Sequence, residues 1–506
     1  MTSSSGLRPA PRAWAAAALM LLALNGCTRA RPAVTPSPAG SATRILRADL
    51  SRVFAAPLFG HALWAVKVQS LRTGEVLYEL NSARLVMPAS NMKIVTLAAA
   101  ADRLGWDYRF ETTLASAAPI EEGVLAGDLV IVGSGDPSIN ERDGRAAAVF
   151  DEWAAGLRAA GVHAVAGDLV ADARAFDAEA LGAGWSWDYL AYGYAAPVGA
   201  LQFGEDLVRL TIAPGAAPGD SVTVGVEPDT GGLTIVNRVT TGAASDQPRL
   251  DLRRLPGQSR LELRGAVPAG AEPLVRTASV DDPAAMFAHA ARGALAARGI
   301  DIRGEARVAS DADEPGQGPS LQVLVSTQSP PLSAIATVLM KVSQNLYAET
   351  LLKTLGRDDG PGSAERGREA VRDVLAGWGL DPGALVQYDG SGLSRYNYVT
   401  ADLVVAILKH LHDDARHREP FLATLPIGGR DGSIAGRFTG TLAEDNVRAK
   451  TGTIANVRAL SGYVTTRDGE VLVFSIIANN FRVTSSVIDY AVDTAVERLA
   501  AIGTRR

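Results

Sequence analysis

The sequence predicts an α+β fold in which one domain is interrupted by a large, mainly β insertion. Strand-like runs joined by short turns lie near both ends of the chain, at residues 64–80 and 459–478. Apolar residues recur at helical spacing over much of the stretch between residues 283 and 412. From 111 to 280, by contrast, Gly, Pro and Asp separate short apolar runs, and helical patterns are few. Helices between two sheet-forming ends indicate one α+β domain, with 111–280 inserted into it.

The length and composition of the chain limit its class. Of its 506 residues, 47% are hydrophobic and 21% are charged, as in ordinary globular proteins. A chain of this length exceeds one compact core, and we expect two or three domains. The formal net charge is −6 and no run of basic residues occurs, which argues against a nucleic-acid partner.

The first residues resemble a bacterial lipoprotein leader. Arg8 and Arg12 precede an apolar run at 13–24, which has signal-peptide length and is short for a membrane span. Leu24-Asn25-Gly26-Cys27 then resembles a lipobox, and Cys27 is the only cysteine. We therefore predict a signal peptide at 1–26 and a tether at 27–43 lipidated at Cys27; the alternative is an ordinary cleaved leader. Thr28, rather than an Asp, follows the cysteine. By resemblance to Gram-negative lipoproteins, this indicates a protein anchored at the outer membrane and facing the periplasm.

Residues 44–110 are predicted to form the first part of the interrupted domain. Two strand-like runs, 64–70 and 75–80, flank a short turn and indicate a hairpin. Apolar residues from 94 to 104 then recur at helical spacing and end at Gly105. Ser90 therefore lies at a helix start, where free N–H groups favour developing negative charge. Lys93 lies one turn further on the same face.

The rest of the chain is divided at residue 280. The insertion, 111–280, contains strand-like runs at 129–132, 207–212 and 261–264, and an inner module is predicted at about 204–265. Residues 281–506 are predicted to complete the interrupted domain. Their predicted helices and strands, in order, are helices 283–297, 332–340, 345–355, 363–377 and 400–412, strands 459–465 and 471–478, and a final helix at 485–501.

Lysine is scarce, which makes its positions informative. The chain has six lysines among its 49 basic residues, and two of them stand where an amine could act chemically. Lys93 follows Ser90 by three positions, and Lys450 precedes Thr451-Gly452-Thr453. Arginine stays protonated at any working pH, whereas a buried lysine can lose its proton and act as a base.

Three short motifs occur in a defined order: Ser90-x-x-Lys93, Ser343-Gln344-Asn345 and Lys450-Thr451-Gly452. Each alone is a weak signal, and each occurs often at an ordinary helix end or turn. In this order they resemble the triple signature of penicillin-recognising acyl-serine enzymes. The resemblance implies that Ser90 is the nucleophile and Lys93 its base, with Ser343 relaying a proton and Asn345 orienting Lys93 and the substrate.

The third motif has its own implied role in that signature. Lys450 supplies positive charge for a substrate carboxylate, and the hydroxyls of Thr451 and Thr453, with Gly452 between them, help to bind it. The backbone N–H groups of Ser90 and Thr453 would form the oxyanion hole.

The spacing resembles one branch of these enzymes, the class C low-molecular-mass penicillin-binding proteins. About 250 residues separate Ser90 from Ser343, and members of this branch carry two nested extra domains there. The chain is also similar to them at residues 133–137, 184–188, 389–395, 425–433 and 459–464. Members commonly have Asp at the position of Gln344, which is the variable position of the motif.

The resemblance implies a serine-type D-Ala-D-Ala carboxypeptidase, a D,D-endopeptidase, or both. Its substrates would be peptidoglycan stem peptides and its covalent inhibitors β-lactams, with no cofactor and no metal. Arg395 would bind a peptide carboxylate, and Asp172 resembles an insertion-domain acid that reaches the diaminopimelate end of the substrate.

Two other functions stay open at this level. A β-lactamase would share the fold and motifs, although it does not need so long an insertion. A lipid-anchored protein could also bind peptidoglycan without turnover. His410, His412 and His417 lie on a charged stretch and favour a solvated helix end over a metal site.

Overall fold

The computed structural model describes residues 40–503, apart from 229–231, 311–312, 314–319 and 359. The predicted signal peptide and Cys27 lie outside the described residues. The described α-helices are α1 (Ser41–Phe54), α2 (Met92–Leu104), α3 (Arg145–Ala159), α4 (Pro283–Ala297), α5 (Leu332–Lys341), α6 (Asn345–Leu355), α7 (Ala364–Gly377), α8 (Ala401–Asp413), α9 (Arg418–Thr424) and α10 (Ser485–Ala501).

The strands fall into a terminal group and a longer internal group. They are β1 (Leu63–Ser70), β2 (Val76–Leu80), β3 (Glu111–Ser116), β4 (Ile120–Glu121), β5 (Val124–Leu125), β6 (Leu129–Val132), β7 (Ala164–Val165), β8 (Leu169–Asp172), β9 (Leu207–Ala213), β10 (Thr223–Glu227), β11 (Thr234–Gly242), β12 (Arg249–Arg253), β13 (Arg260–Pro268), β14 (Leu274–Ser279), β15 (Asp301–Ile302), β16 (Ala306–Val308), β17 (Gln322–Gln328), β18 (Leu385–Val386), β19 (Tyr398–Val399), β20 (Arg448–Ile454), β21 (Val457–Thr465) and β22 (Val471–Asn479).

A five-stranded antiparallel sheet joins the two ends of the chain. Its order is β2-β1-β22-β21-β20. The central pair runs without a register shift from Leu63 opposite Asn479 to Ser70 opposite Leu472. Both predicted hairpins are present, and the expectation that the ends of the chain form one α+β domain is confirmed. Strand β20 lies at the edge of this sheet, where its side chains can face a cleft.

Helices cover both faces of this sheet because its strands carry apolar side chains on both faces. On β22, Val473 and Ile477 pack against the cluster formed by α2 and α5–α9. Phe474 and Ile476 point to the other face, where α1 and α10 cover them. Successive side chains of a strand point to opposite faces, so a strand covered on both faces carries a nearly continuous apolar run. Helix α2, which follows Ser90, is buried along most of its length.

The inserted region has its own sheets and its own core. Its sheets have the orders β16-β8-β6-β3-β17, β15-β7-β5-β4, β10-β9-β14 and β11-β13-β12. A second apolar cluster, which includes Trp153 of α3 and Phe287 of α4, fills the space between them. Helix α3 lies within the stretch predicted to be mainly β. Its apolar residues at 146, 149, 150, 153, 154 and 157 are spaced as one buried helix face requires.

Strand pairing extends the inserted region beyond the predicted boundary. Strand β17 is antiparallel to β3, and β16 is parallel to β8. Both returning strands come after residue 280, so 281–328 pairs with the insertion rather than with the terminal sheet. The division at residue 280 stays a prediction, and we propose Gln328 as the end of the inserted region.

Among the described helices, none is long and apolar enough to cross a membrane.

Candidate active site

Ser90 lies in a tight turn that leads into helix α2. Residues Ala89–Asn91 form a single 3-10 turn, and the α-helix continues from Met92. Ala89 has a left-handed backbone with a φ of 46°, which is uncommon for a residue with a side chain. The turn places Ser90 at the helix start, as predicted, with its Oγ 3.0 Å from the Nζ of Lys93.

Lys93 is fully buried, and oxygen atoms surround its Nζ. Besides the serine hydroxyl, the Asn345 Oδ1 lies at 2.6 Å and the Ser391 carbonyl oxygen at 2.8 Å. Burial lowers the pKa of Lys93 to about 7, and the negative charges of Asp389 and Glu349 oppose that shift only in part. Lys93 can therefore lose its proton near neutral pH, as a general base must.

Helix α6 begins at the second motif and points it towards Lys93. Gln344 caps the helix, its side chain accepting a hydrogen bond from a first-turn backbone N–H at 3.2 Å. Ser343 lies just before the cap with a left-handed φ of 62°. The Asn345 Nδ2 donates to the Tyr194 carbonyl at 2.7 Å. That bond fixes the orientation of the Asn345 amide and directs its oxygen to the lysine.

Lys450 lies on the edge strand β20 and is also fully buried. Its Nζ donates to the Ser343 Oγ at 2.8 Å and to the Thr451 carbonyl at 2.8 Å. Burial lowers the pKa of Lys450 well below its ordinary value, and the positive charge of Lys93 adds to the shift. The Asn91 Nδ2 donates to the Lys450 carbonyl at 3.0 Å, which ties the strand to the serine turn.

Strand β20 approaches the serine turn at a glycine. A Cβ at Gly452 would lie 2.6 Å from the Pro88 carbonyl oxygen, so a larger residue would force the strand away from the turn. The Thr451 Oγ1 next to it is 2.7 Å from the Ser433 Oγ. The three motifs predicted from sequence therefore meet in one place, although they are far apart in the chain.

The loop that follows β18 closes the site behind Lys93. The Asp389 carboxylate accepts from the backbone N–H groups of Gly392 at 2.8 Å and Ser394 at 2.6 Å. The Glu349 carboxylate of α6 accepts from two further N–H groups of the same loop, each at 2.8 Å. Burial and then the charge of Asp389 raise the pKa of Glu349 to about 8. Two buried carboxyl groups therefore lie close to the buried lysine.

A cavity of about 470 Å³ opens at Ser90. Its wall combines hydroxyl, amide and guanidinium groups with apolar side chains, which suits a peptide with a polar end. The lining residues are Ser90, Tyr189, Tyr194, Ser343, Asn345, Leu393, Thr451, Thr453, Ile454, Ala455, Arg458 and Ser485.

The two weaker site predictions have different positions relative to this cavity. The Arg395 Nη2 donates to the Ala455 carbonyl at 3.2 Å and lies 3.5 Å from the Tyr189 hydroxyl, so Arg395 lies beside the cavity. Asp172 is not among the residues that line it; its Oδ2 pairs with the Arg174 Nη2 at 2.6 Å. Burial raises the pKa of Asp172, but the Arg174 hydrogen bonds and charge more than offset this and leave the pKa below its usual value. Substrate contact by either residue stays a prediction.

Sequence reasoning missed the aromatic wall of the cavity. Tyr189 and Tyr194 line it, and Tyr194 stacks on Tyr192 with ring centroids 5.6 Å apart. These tyrosines belong to short 3-10 turns, which have no periodic pattern to reveal them. The nearby similarity at residues 184–188 was the available signal. Within the described ranges, no group of three or more His, Cys, Asp or Glu side chains could hold a metal ion.

Comparisons with known proteins agree with this geometry. The sequence profile of the D-Ala-D-Ala carboxypeptidase 3 (S13) family matches residues 46–501. A D-alanyl-D-alanine carboxypeptidase from an Actinomadura strain is 36% identical over 479 residues, covering 92% of this chain and 86% of that protein. The crystal structure of penicillin binding protein 4 from Haemophilus influenzae matches with a TM-score of 0.79 at 25% identity, covering 90% of this chain and 99% of the other. A structure of that protein with a bound β-lactam has a TM-score of 0.72 at 24% identity and the same coverage.

Proposed function

The chain belongs to the D-Ala-D-Ala carboxypeptidase (S13) family of peptidoglycan hydrolases, and we propose that Ser90 is the residue acylated in its reaction. The observation that carries the proposal is the contact between the Ser90 Oγ and a fully buried Lys93 Nζ at 3.0 Å. A serine hydroxyl is a weak nucleophile until a neighbouring base accepts its proton. Lys93 has the position and the lowered pKa to accept this proton.

The acylation step follows from these contacts. The Ser90 Oγ attacks the carbonyl carbon of the penultimate D-Ala, and neutral Lys93 takes the hydroxyl proton. The tetrahedral intermediate then collapses and the C–N bond breaks. The leaving amine receives, through Ser343, the proton that Lys93 took up, so Lys93 is neutral again; Ser343 contacts Lys450 at 2.8 Å. Water afterwards hydrolyses the ester, releasing the shortened peptide and restoring Ser90.

The cavity wall would bind the end of the peptide. Thr451 and Thr453 line the cavity, and their hydroxyls suit a terminal carboxylate. Lys450, next to Thr451 in β20, is buried and is not among the lining residues. Arg395 lies next to the cavity and could serve a second carboxylate. The backbone N–H groups of Ser90 and Thr453 would stabilise the oxyanion.

A single adduct is the expected result of treating the protein with penicillin. Mass spectrometry of the digested protein should place one penicilloyl group on Ser90. Ser90→Ala should abolish labelling. Ser391 also lies near Lys93, and Ser391→Ala should still be labelled at Ser90. An adduct on a different serine, or none, would remove the proposed mechanism. Slow release of the penicilloyl group is expected; rapid turnover would instead favour a β-lactamase.

The leaving group decides between two forms of the same chemistry. Removal of a terminal D-Ala and cleavage of a D,D-crosslink both use one serine and one acyl-enzyme, and we propose that both can occur at Ser90. Digestion of purified peptidoglycan, with the products identified by mass, separates them. Free D-Ala marks the carboxypeptidase, and loss of dimeric stem peptides marks the endopeptidase.

We further propose that the protein acts in the periplasm, anchored by lipid at Cys27, as its lipobox-like sequence indicates. In a Gram-negative host, Cys27→Ser should release the protein from the outer-membrane fraction or mislocalise it, because no acyl chain can be attached. Thr28→Ser, which keeps the cysteine, is the matched control and should stay with the membrane. Release of the unchanged mature protein without detergent would contradict the anchor.

A further inference from the structure

The hydrogen bonds at Lys93 determine where its lone pair can point. A neutral amine has two N–H bonds and one lone pair, and only the lone pair can take a proton from Ser90. The Asn345 Oδ1 at 2.6 Å and the Ser391 carbonyl at 2.8 Å can only accept, so they engage the two N–H bonds. Because the Asn345 Nδ2 donates to the Tyr194 carbonyl, this amide cannot reverse its role. The lone pair is then left for the hydroxyl at 3.0 Å.

One of these acceptors belongs to a helix and the other to a loop. Asn345 is fixed as the first residue of α6. Ser391 lies in the loop between β18 and β19, and a loop carbonyl needs external support to keep one direction. The N–H of the same peptide unit, on Gly392, donates to Asp389 within the loop. From outside the loop, Thr96 donates to the Gly390 carbonyl at 2.8 Å and Trp185 to the Asp389 carboxylate at 2.9 Å. Glu349 is the outside residue that binds the N–H of Ser391 itself.

Glu349 connects α6 to this loop. It lies four residues after Asn345, so both side chains share one face of the helix. Its Oε1 accepts from the Ser391 N–H and its Oε2 from the Gly390 N–H, both at 2.8 Å. The side chain is buried, with 4% of its surface exposed. Helix α6 thus sets the direction of both acceptors, the first directly and the second through Glu349.

We propose that Glu349 is a positioning residue for acylation: it holds the Ser391 carbonyl so that the lone pair of neutral Lys93 faces Ser90. The inference rests on the proposed role of Lys93 and extends it to a residue outside the three motifs. A carboxyl group suits the task because each of its two oxygens can accept one N–H bond, whether or not the group is ionised. Glutamine has one acceptor oxygen, and its NH₂ group would meet the other backbone N–H.

The test compares Glu349→Gln with Glu470→Gln in the full chain. Glu470 is a matched control because it is another 4%-exposed carboxylate, bonded to Ser70 and Arg72 and not to the site. Stopped-flow labelling with fluorescent penicillin separates the dissociation constant of the non-covalent complex from the first-order acylation constant. Glu349→Gln should lower the acylation constant about 10- to 100-fold, as small misplacements of a catalytic group do. The dissociation constant should equal that of the wild type, and the stoichiometry should stay near one adduct per folded chain.

Several outcomes would overturn the proposal. An acylation constant of Glu349→Gln within about twofold of the wild type, or an equal fall in Glu470→Gln, would remove the positioning role. If Glu349→Gln does not fold, Glu349→Asp, which keeps the carboxyl group but shortens its reach, is measured in the same way. Failure of both variants to fold would assign the carboxylate to stability alone. Absence of a Ser90 adduct in the wild type would instead reject the proposed function itself.

Discussion

Replacing Lys93 with arginine should lower the rate of penicillin acylation by about 10²–10⁴-fold, the usual effect of losing a general base. A base must be unprotonated to accept the Ser90 proton. Burial lowers the pKa of Lys93 to about 7, whereas arginine stays protonated at every working pH. Stopped-flow fluorescence with a labelled penicillin measures the rate, and circular dichroism checks the fold. In the wild type, the rate should rise with pH through about 7, as the lysine loses its proton.

Lys450→Arg is the informative comparison. The proposed role of Lys450 is to attract a carboxylate, and arginine can still do so. This variant should therefore keep part of the acylation rate but need a higher penicillin concentration to reach it. If Lys93→Arg acylates about as fast as the wild type, Lys93 is not the base. The proton route would then run through Ser343 or water.

Replacing Gly392 with alanine should destroy the site and lower the free energy of unfolding by at least about 2 kcal/mol. A Cβ at Gly392 would lie 1.8 Å from the Ala89 carbonyl oxygen, in the residue before Ser90, and its φ of 86° already disfavours a side chain. Either the loop or the serine turn must move. Urea unfolding measures the loss of stability, and the stoichiometry of penicillin labelling measures the loss of the site.

Gly379→Ala separates the two causes of that effect. Gly379 has a similar φ of 72°, but an added Cβ would meet no atom within 4 Å. Only the backbone strain remains, so we expect a loss of about 1 kcal/mol and unchanged labelling. Equal labelling of the Gly392 and Gly379 variants would contradict the close approach of the loop to the serine turn.

Periodic segments of the fold were predictable from sequence, and so was the order of the site motifs. Helix α4 matches its predicted range, and α2 ends at the predicted Gly105. Both depend on local patterns that a buried face imposes. Lysine scarcity separated Lys93 and Lys450 from the arginine-rich background, and the structure brings both to Ser90 and Ser343.

The remaining features depend on contacts between distant residues. No local pattern shows that β17 returns to pair with β3, so composition alone predicts an end of the insertion near residue 280. Glu349 has the spacing of an ordinary helical residue, and only the folded loop reveals its contacts with Gly390 and Ser391. Asp172 was chosen by resemblance, but its partner in the structure is Arg174.

The pairing of β1 with β22 has a consequence for how the protein is made. Synthesis delivers Ser90 and Lys93 first, whereas the edge strand with Lys450 and then β22 appear more than 350 residues later. The central sheet therefore cannot close on a partly made chain, and pairings between such distant segments form slowly. A nascent or C-terminally shortened chain carries the serine without the surroundings that activate it. Reactivity towards the cell wall is thus acquired only after β20 and β22 have been made and have paired with the rest of the sheet.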